Sequence, residues 1–423
     1  MKRRVRKSSA ILHACTQWEL KVPTVSTEIS TPLRQVIGLS QHHDAVSGTE
    51  NQVAVDDYNT RLDYSVEMCM RNLAYEWNKP KGKQKYFYNS LGWDRVEYLN
   101  GKIYKIPAGS FISETDALIK TDETVVEQKY DTIYKIENEF YKVEYNSEYN
   151  ELLIEDKELS RQLQPQVKYA GQLSVTPTFK YYESCAGINC DDLGNSGAYI
   201  FRPANNGSLL ELGAAQVTKT TQNGLKLSVS DFITYEISLE NDLLVLSYDI
   251  GEIPVDEKKK IGKEIVLKFD INTQNYGHES RFFTDTNSYG FIERSREIVY
   301  ELEPVSSRYW PITSRAYLDW GDKAVNPLEQ ERFEIFVDRA AGVASLTEPL
   351  YRTEMEIMLH RRTLSNDHKG ADPMDDTSSV QGKIVFNVNK RLNNIERTHL
   401  EKRLNYPIVE FYSETEFIFE MRR

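Results

Sequence analysis

The chain has 423 residues, of which 40% are hydrophobic and 27% are charged. This composition supplies enough apolar surface for large buried cores, which excludes disorder as the main state, and the length suggests about three domains. Acidic residues outnumber basic ones by 64 to 52. The resulting net charge of −12 argues against a nucleic-acid-binding protein, which would need a basic face.

The sequence shows neither a membrane span nor a clear targeting signal. No apolar run reaches the roughly 18 residues that would cross a bilayer. Residues 2–7 are mostly basic, as at the start of a secretory signal, but the apolar stretch at 10–15 is short and contains His13. We therefore do not predict a cleaved signal peptide.

The first 80 residues have the spacing of amphipathic helices. Thr31 and Pro32 are a helix-start signal, namely a capping hydroxyl followed by proline at the first helical position. Residues 49–52, Thr-Glu-Asn-Gln, match a capping box that would open a second helix. Apolar residues then recur at spacings of three and four, which predicts a long helix in part of a helical bundle. This apolar stripe consists of Val55, Tyr58, Leu62, Val66, Cys69, Leu73 and Trp77.

Beyond about residue 80 the apolar residues alternate with polar ones, which is the pattern of half-buried strands. The run Leu244, Leu246, Tyr248 and Ile250 is an example, and the polar residues 240–242 before it predict an antiparallel hairpin. Strands do not alternate with helices in this part of the sequence. We therefore predict an α+β chain whose larger part is an antiparallel β-sandwich, with smaller β domains beside it.

Changes in composition give the predicted domain boundaries. Residues 79–85 form a polar linker, and residues 367–382 form a long polar loop that we expect to be exposed. The predicted domains are a helical middle domain at 1–84, a small β domain at 85–134, a large β-sandwich at 135–371 and a C-terminal β segment at 372–423.

Four cysteines are too few for a disulfide framework in a chain of this length. Cys15 and Cys69 fall within helical patterns and are predicted to be free thiols in a core. Cys185 and Cys190 are close in sequence, so they either form one small loop disulfide or remain as two free thiols.

Two adjacent histidines and an aspartate, His42, His43 and Asp44, lie between two predicted helices. A neutral imidazole is a good zinc ligand, and a carboxylate is a good acceptor for sugar hydroxyls. Adjacent side chains on a helix diverge by about 100°, so the two histidines are not expected to share one metal easily. On these residues alone, a polar helix end is a more common explanation than a binding site.

Longer motifs change this interpretation. Residues 41–49, Gln-His-His-Asp-Ala-Val-Ser-Gly-Thr, resemble the signature in the middle domain of the family 38 α-mannosidases. Residues 88–92, Tyr-Asn-Ser-Leu-Gly, are similar to the family's Asn-Pro-Leu-Gly strand turn, with Ser90 in place of proline. The resemblance covers about residues 30–420 and has the character of the lysosomal branch. Further matches follow in the same order at 196–203, 283–287, 292–294, 338–346, 358–362 and 367–370.

The resemblance implies a galactose-mutarotase-like supersandwich and an enzyme that cleaves terminal α-linked mannose with retention at a zinc ion. It implies that His43 is a zinc ligand and that Asp44 and Tyr199 bind the sugar. His42 is expected to pack or hydrogen-bond beside the zinc. Residues 360–362 and 367–370 are expected either to line the edge of the site or to form a plain exposed turn.

In that family the remaining zinc ligands, the nucleophile and the acid/base lie in an N-terminal β/α domain, which no segment of this sequence resembles. A catalytic zinc needs about three protein ligands, and retaining hydrolysis needs two carboxyl groups about 5 Å apart. We therefore expect the C-terminal portion of a zinc-dependent α-mannosidase that is inactive without its N-terminal half. Its expected partners are that half and mannose-containing glycans, without nucleic acid.

The compartment implied by the resemblance is the lysosome, the vacuole or the secretory lumen. The glycosylation sequon at residues 206–208 is compatible with this, although such triplets are common by chance. The alternative function is a non-catalytic carbohydrate-binding or scaffold protein that has the same β domains.

Overall fold

The computed structural model describes residues 1–21, 29–76, 85–163, 172–188, 190, 194–272, 280–286, 290–298, 300–320, 332–346, 352–388 and 392–412. The chain forms two compact units. The first unit consists of Met1–Asp122 together with Lys402–Arg423, and the second unit is Glu123–Glu401. Within the described ranges, none of the helices has the length and apolar character that crossing a membrane would require. The predicted linker at 79–85 lies outside these ranges apart from Lys85.

The helices are α1 (Lys2–Lys21), α2 (Thr31–Leu39), α3 (His43–Ser47), α4 (Gln52–Glu76), α5 (Glu114–Ala117), α6 (Lys157–Leu163) and α7 (Asn394–Asn405). The helical pattern around Cys15 predicts a helix in this segment without giving its bounds, and α1 extends over Lys2–Lys21. Val5, Ile11 and Cys15 are buried on one face of this helix.

The core between α1, α2 and α4 follows the predicted apolar stripe. Leu62, Cys69 and Leu73 of α4 are fully buried and pack in one cluster with Leu33 of α2 and Ile11 of α1. The long helix is therefore confirmed, although Trp77 lies outside the described residues. The start of α4 differs from the predicted capping box at residues 49–52. The Asn51 side chain accepts a hydrogen bond from the Ala54 N–H at 3.0 Å, whereas Thr49 bonds to Asp44.

A disulfide links Cys15 of α1 to Cys69 of α4, with their Cα atoms 6.3 Å apart. The prediction of two free core thiols is therefore wrong. Apolar spacing places a cysteine on the inner face of each helix, but it does not show that the two faces meet. Cys185 and Cys190 form the second disulfide, so all four cysteines are paired.

The strands of the first unit before residue 122 are β1 (Lys85–Tyr88), β2 (Arg95–Leu99), β3 (Lys102–Ile106), β4 (Phe111–Ser113) and β5 (Leu118–Thr121). Those of the second unit are β6 (Val125–Tyr130), β7 (Ile133–Glu137), β8 (Tyr141–Asn146), β9 (Glu151–Asp156), β10 (Gln172–Glu183), β11 (Leu210–Glu211), β12 (Gln216–Thr220), β13 (Gly224–Ser230), β14 (Ile233–Glu240), β15 (Leu243–Ile250), β16 (Lys263–Asn272), β17 (Arg281–Thr286), β18 (Gly290–Glu293), β19 (Trp310–Ile312), β20 (Arg315–Asp319), β21 (Arg332–Val337), β22 (Ala341–Ala344), β23 (Arg352–Arg362) and β24 (Val380–Val388). The last strand, β25 (Val409–Tyr412), returns to the first unit.

Two large antiparallel sheets form the second unit. One has the order β19-β22-β23-β16-β10-β9-β8-β7-β6, with β11 paired to β10, and the other has the order β12-β13-β14-β15-β24-β21-β20-β17-β18. Phe269 of β16 contacts Phe333 of β21 and Phe386 of β24, with ring centroids 5.2 and 5.9 Å apart. Side chains from both sheets therefore share one core, which confirms the predicted antiparallel sandwich and the α+β class.

Strand β15 lies fourth of nine in its sheet, between β14 and β24. Its residues Leu244, Leu246, Tyr248 and Ile250 are all buried, as the alternation predicts. It forms the expected hairpin with β14, in which Glu240 pairs with Leu243. The predicted register is therefore confirmed.

The compact units divide the chain at other positions than the four predicted domains. Strand β24, in the predicted C-terminal segment, lies within the nine-stranded sheet between β15 and β21. Strand β25 instead pairs with β1 of the first unit, where Lys85 and Glu410 also form an ion pair at 2.5 Å. Sequence composition does not reveal this division because the long-range pairing partners are separated by hundreds of residues.

We expect Leu246→Ala to destabilise the second unit by about 2–5 kcal/mol, because it opens a cavity between two packed sheets. The matched control is Leu153→Ala on β9, since the Leu153 side chain is exposed; its effect should stay within about 0.5 kcal/mol. Urea unfolding of both variants measures the difference. Equal effects would contradict the assignment of the buried face.

We expect the double change Cys15→Ala and Cys69→Ala to lower the free energy of unfolding by about 4 kcal/mol, because the disulfide closes a long loop of the unfolded chain. Removing Cys185 and Cys190 together should cost only about 2 kcal/mol, since that loop is short. Urea unfolding without reductant gives both values. If Cys15 and Cys69 of the denatured, unreduced chain react with a thiol reagent, the pairing is wrong.

Candidate functional site

A short loop and helix carry the two histidines and the aspartate. Helix α2 ends at Leu39, and α3 begins at His43 and ends at Ser47, followed by Gly48, whose positive φ of 77° suits a glycine cap. His42 is the N-cap of α3, and its Nδ1 accepts a hydrogen bond from the Asp44 N–H at 3.2 Å. Because His42 lies outside the helix, the 100° divergence expected of adjacent helical side chains does not apply.

The three side chains form a compact polar cluster. One ligand atom from each of His42, His43 and Asp44 lies within 4.8 Å of the other two, and the two imidazole centroids are 4.3 Å apart. His43 Nε2 lies 3.4 Å from Asp44 Oδ2, and the Thr49 hydroxyl donates to Asp44 Oδ1 at 2.7 Å. The carboxylate is thus fixed on one side by Thr49 and lies beside His43 on the other.

This cluster has the donor atoms of a metal site that is open on one side. The His43 side chain is 83% exposed, whereas that of Asp44 is only 29% exposed. In the part of the chain that the structure describes, it is the one group of histidine, cysteine and carboxylate side chains placed to hold an ion. Imidazole nitrogens with a carboxylate oxygen are a donor set that zinc accepts, with room for further ligands from outside.

Tyr199 lies on a loop of the second unit, and about half of its surface is exposed. The backbone N–H groups of Tyr199 and Ile200 both donate to one carboxylate oxygen of Asp367, at 2.8 and 3.1 Å. Asp367 is itself 7% exposed. A buried carboxylate 168 residues away therefore fixes the backbone of this loop while the tyrosine ring stays accessible.

The close approach of Asp367 to the loop also explains why residue 197 is a glycine. A Cβ atom added at Gly197 would lie 2.7 Å from both the side chain and the backbone nitrogen of Asp367. Such a distance is shorter than real Cβ contacts allow, so a larger residue would push the two segments apart. Gly197 therefore permits the short hydrogen bonds that Asp367 makes to Tyr199 and Ile200.

Arg361 holds the same loop through its carbonyl groups. Its guanidinium donates to the Gly197 carbonyl at 2.9 Å and to the Ile200 carbonyl at 3.3 Å, and it pairs with Glu264 at 2.9 Å. Burial raises the pKa of Glu264 to about 7, against the opposing effect of the Arg361 charge. Donors and acceptors of the loop backbone are therefore both bound to charged side chains.

His360 and Arg362, which were predicted as possible residues at the edge of the site, form bonds with other residues of the chain. His360 is buried, its Nε2 lies 3.1 Å from the Ser378 carbonyl, and burial lowers its pKa. Arg362 is paired with Asp375 at 2.6 Å and Glu252 at 2.8 Å. The segment after them is not a plain exposed turn, because Asp367 is buried. The exposed-loop prediction is therefore wrong at Asp367 and correct at residues such as Asp372.

The site residues lie in two compact units. His43 and Asp44 belong to the first unit and Tyr199 to the second, so their convergence on one sugar stays a prediction. Sequence reasoning identified Asp367 only as part of a loop and did not assign Arg361 or Glu264 to the Tyr199 loop. No local pattern could have done so, because these contacts join segments that are distant in the chain.

Two family models match this chain. Residues 1–76 match the alpha mannosidase middle domain, and residues 136–369 match the glycosyl hydrolases family 38 C-terminal domain. Lysosomal alpha-mannosidase of Bos taurus is 24% identical over 471 residues, covering 96% of this chain and 45% of the bovine protein. The lysosomal alpha-mannosidase of Cavia porcellus is 26% identical, with 88% and 42% covered. The chain thus spans less than half the length of these relatives.

A solved structure shows the same fold. An alpha-mannosidase from Enterococcus faecalis superposes with a TM-score of 0.62 over 98% of this chain and 57% of that chain. Its sequence identity is 12%, so this similarity concerns the fold alone. It agrees with the arrangement of helices and antiparallel sheets described above.

We expect Asp367→Asn to loosen the loop that carries Tyr199, because an amide replaces the carboxylate that accepts two backbone N–H bonds. Bonds to a charged group contribute about 1.5–3 kcal/mol each, so exchange of the Tyr199 and Ile200 amides should accelerate at least about tenfold. Hydrogen exchange measured by mass spectrometry on peptides from this loop tests this.

The matched control is Asp372→Asn, in the same segment but exposed, which should leave amide exchange in the Tyr199 loop unchanged. Equal protection of the Tyr199 amide in Asp367→Asn and in the unaltered chain would show that the carboxylate does not hold the loop.

Proposed function

Because the chain belongs to glycosyl hydrolase family 38, we propose that it is the middle and C-terminal portion of a zinc-dependent, retaining α-mannosidase that removes terminal α-linked mannose from glycans. The observation that carries the proposal is the compact cluster of His42, His43 and Asp44, within the segment that matches the middle domain. Its donor set fits one side of a zinc site, and its exposure leaves room for ligands from a second protein segment.

In this proposal His43 binds the zinc through an imidazole nitrogen. His42 is not proposed as a ligand, because its Nδ1 accepts the Asp44 N–H and the other nitrogen of the neutral ring then carries the proton. Bound zinc would act as a Lewis acid toward the hydroxyls of the sugar. Asp44 keeps a carboxylate oxygen beside His43 while Thr49 holds the other, which suits a group that orients a sugar hydroxyl.

Tyr199 contributes recognition of the sugar rather than chemistry. Its ring offers an apolar face for the sugar carbons, and its hydroxyl offers one donor and one acceptor. Because Asp367 holds the backbone of Tyr199, less backbone freedom is lost when a sugar binds against the ring. This pre-organisation makes sugar binding more favourable than it would be at an exposed tyrosine on an unconstrained loop.

Retaining hydrolysis needs a nucleophilic carboxylate and an acid/base carboxyl about 5 Å apart. We propose that both, together with the remaining zinc ligands, come from an N-terminal β/α half that joins this chain. The relatives named above are lysosomal enzymes, and we propose a lysosomal or lumenal compartment for this chain too. Its two disulfides suit an oxidising compartment.

We expect the purified chain alone not to hydrolyse an aryl α-mannoside in the presence of zinc, since the proposal assigns the carboxyl pair to the N-terminal half. Adding a matched N-terminal half should give turnover that a chelator abolishes. His43→Ala in that assembly should remove both zinc binding and turnover, as measured by metal content and product release.

His399→Ala is the control, since His399 lies on α7, away from the cluster of residues 42–44 in sequence, and should retain both properties. Turnover by the isolated chain that survives gel filtration would contradict the proposed division of the site. Loss of turnover without loss of bound zinc in His43→Ala would favour a role in sugar binding over metal binding.

A further inference from the structure

We propose that Asn206 is a site of N-linked glycosylation. The proposal rests on the lumenal compartment of the proposed function and goes beyond it, because it assigns a modification to a turn that has no part in the mannosidase site. The acceptor triplet is Asn206-Gly207-Ser208, and it occurs once in the sequence of 423 residues.

The structure places this triplet where a glycan can be accommodated. Asn205–Gly207 form one turn of 3-10 helix, in which Asn206 has a left-handed φ of 56° and an exposed side chain. Backbone bonds close the turn, from the Gly207 N–H to the Ala204 carbonyl at 3.0 Å and from the Ser208 N–H to the Asn205 carbonyl at 3.1 Å. Asn206 is the middle residue of this closed turn and is exposed, so its side-chain amide is accessible from solvent.

The inner side of the turn is fixed against the second unit. Ala204 is buried, and a Cβ atom added at Gly207 would come within 2.3 Å of a Val305 methyl carbon. Gly207 is therefore required by packing, while its neighbours Asn206 and Ser208 face outward. A large polar group on Asn206 would extend away from the protein without displacing any packed side chain.

The adjacent asparagine provides a natural comparison. Asn205 is also exposed, but its triplet Asn-Asn-Gly lacks the hydroxyl at the third position. Its side-chain amide donates to Glu183 Oε2 at 3.0 Å. Asn205 therefore shares the turn and the residue type of Asn206 without being an acceptor.

The donor would be a lipid-diphosphate-linked oligosaccharide, which occurs in the secretory lumen. The Asn206 amide nitrogen forms a bond to the anomeric carbon of the donor sugar and gives up one proton to a base of the transferase. The carbon–oxygen bond to the lipid diphosphate breaks, and the diphosphate leaves with the bonding electron pair. The two disulfides of this chain fit the same oxidising compartment.

The test is translation of the full chain, behind a cleavable secretory leader, in the presence of microsomes. Only the protease-protected fraction is analysed, so every molecule examined has entered the lumen. We expect one discrete decrease in electrophoretic mobility that an amidase specific for N-glycans reverses. That amidase converts a glycosylated asparagine to aspartate, so peptide mass spectrometry should locate the conversion at Asn206.

Four variants assign the acceptor. Asn206→Gln and Ser208→Ala should abolish the mobility step, Ser208→Thr should retain it, and Asn205→Gln should leave it unchanged. The proposal is overturned if the protease-protected chain of unaltered sequence shows no decrease in mobility. It is also overturned if the decrease persists in Asn206→Gln. Neither zinc binding nor mannosidase turnover enters this measurement, so its failure is distinguishable from failure of the proposed function.

Discussion

The contact between the two large sheets is the constraint on which the rest of the second unit depends. Phe269, Phe333 and Phe386 meet between the sheets with centroids 5.2 to 6.1 Å apart, and all three are fully buried. Aromatic side chains of this size dominate the energetics of a core because each buries a large apolar area. Their strands, β16, β21 and β24, are therefore the fixed frame from which the connecting loops extend.

The loop that carries Tyr199 is attached to this frame through charged groups. Glu264 lies on β16 and Arg361 on β23, which are paired strands, and the Arg361 guanidinium reaches the loop carbonyls. Asp367 follows β23 and binds the loop N–H groups. Each group is costly to bury alone, but each has a partner of opposite charge or a hydrogen-bonded backbone group. A single irregular loop thus acquires the rigidity of the sheet beneath it.

The extent to which the sequence predicts these features depends on how local their causes are. Alternation of apolar residues identifies β15 and its buried face, and the spacing of apolar residues in α4 identifies its core stripe, because both patterns arise within a few residues. The same reasoning gives no bounds for α1, and it treats Cys15 and Cys69 as separate thiols. It also leaves strand β24 in a terminal segment, since membership of a sheet is decided by partners elsewhere in the chain.

The two parts of the candidate site show the same contrast in their construction. The cluster at His42–Asp44 is complete within eight residues, because the His42 cap, the Thr49 hydroxyl and the left-handed Gly48 are all local. A short motif is enough to specify such a cluster, which is why the resemblance at residues 41–49 carries the predicted roles of His43 and Asp44. The position of Tyr199 instead depends on Asp367 and Arg361, more than 160 residues away. A motif can predict a role for that tyrosine, but only the assembled sandwich can explain why its backbone is held in place.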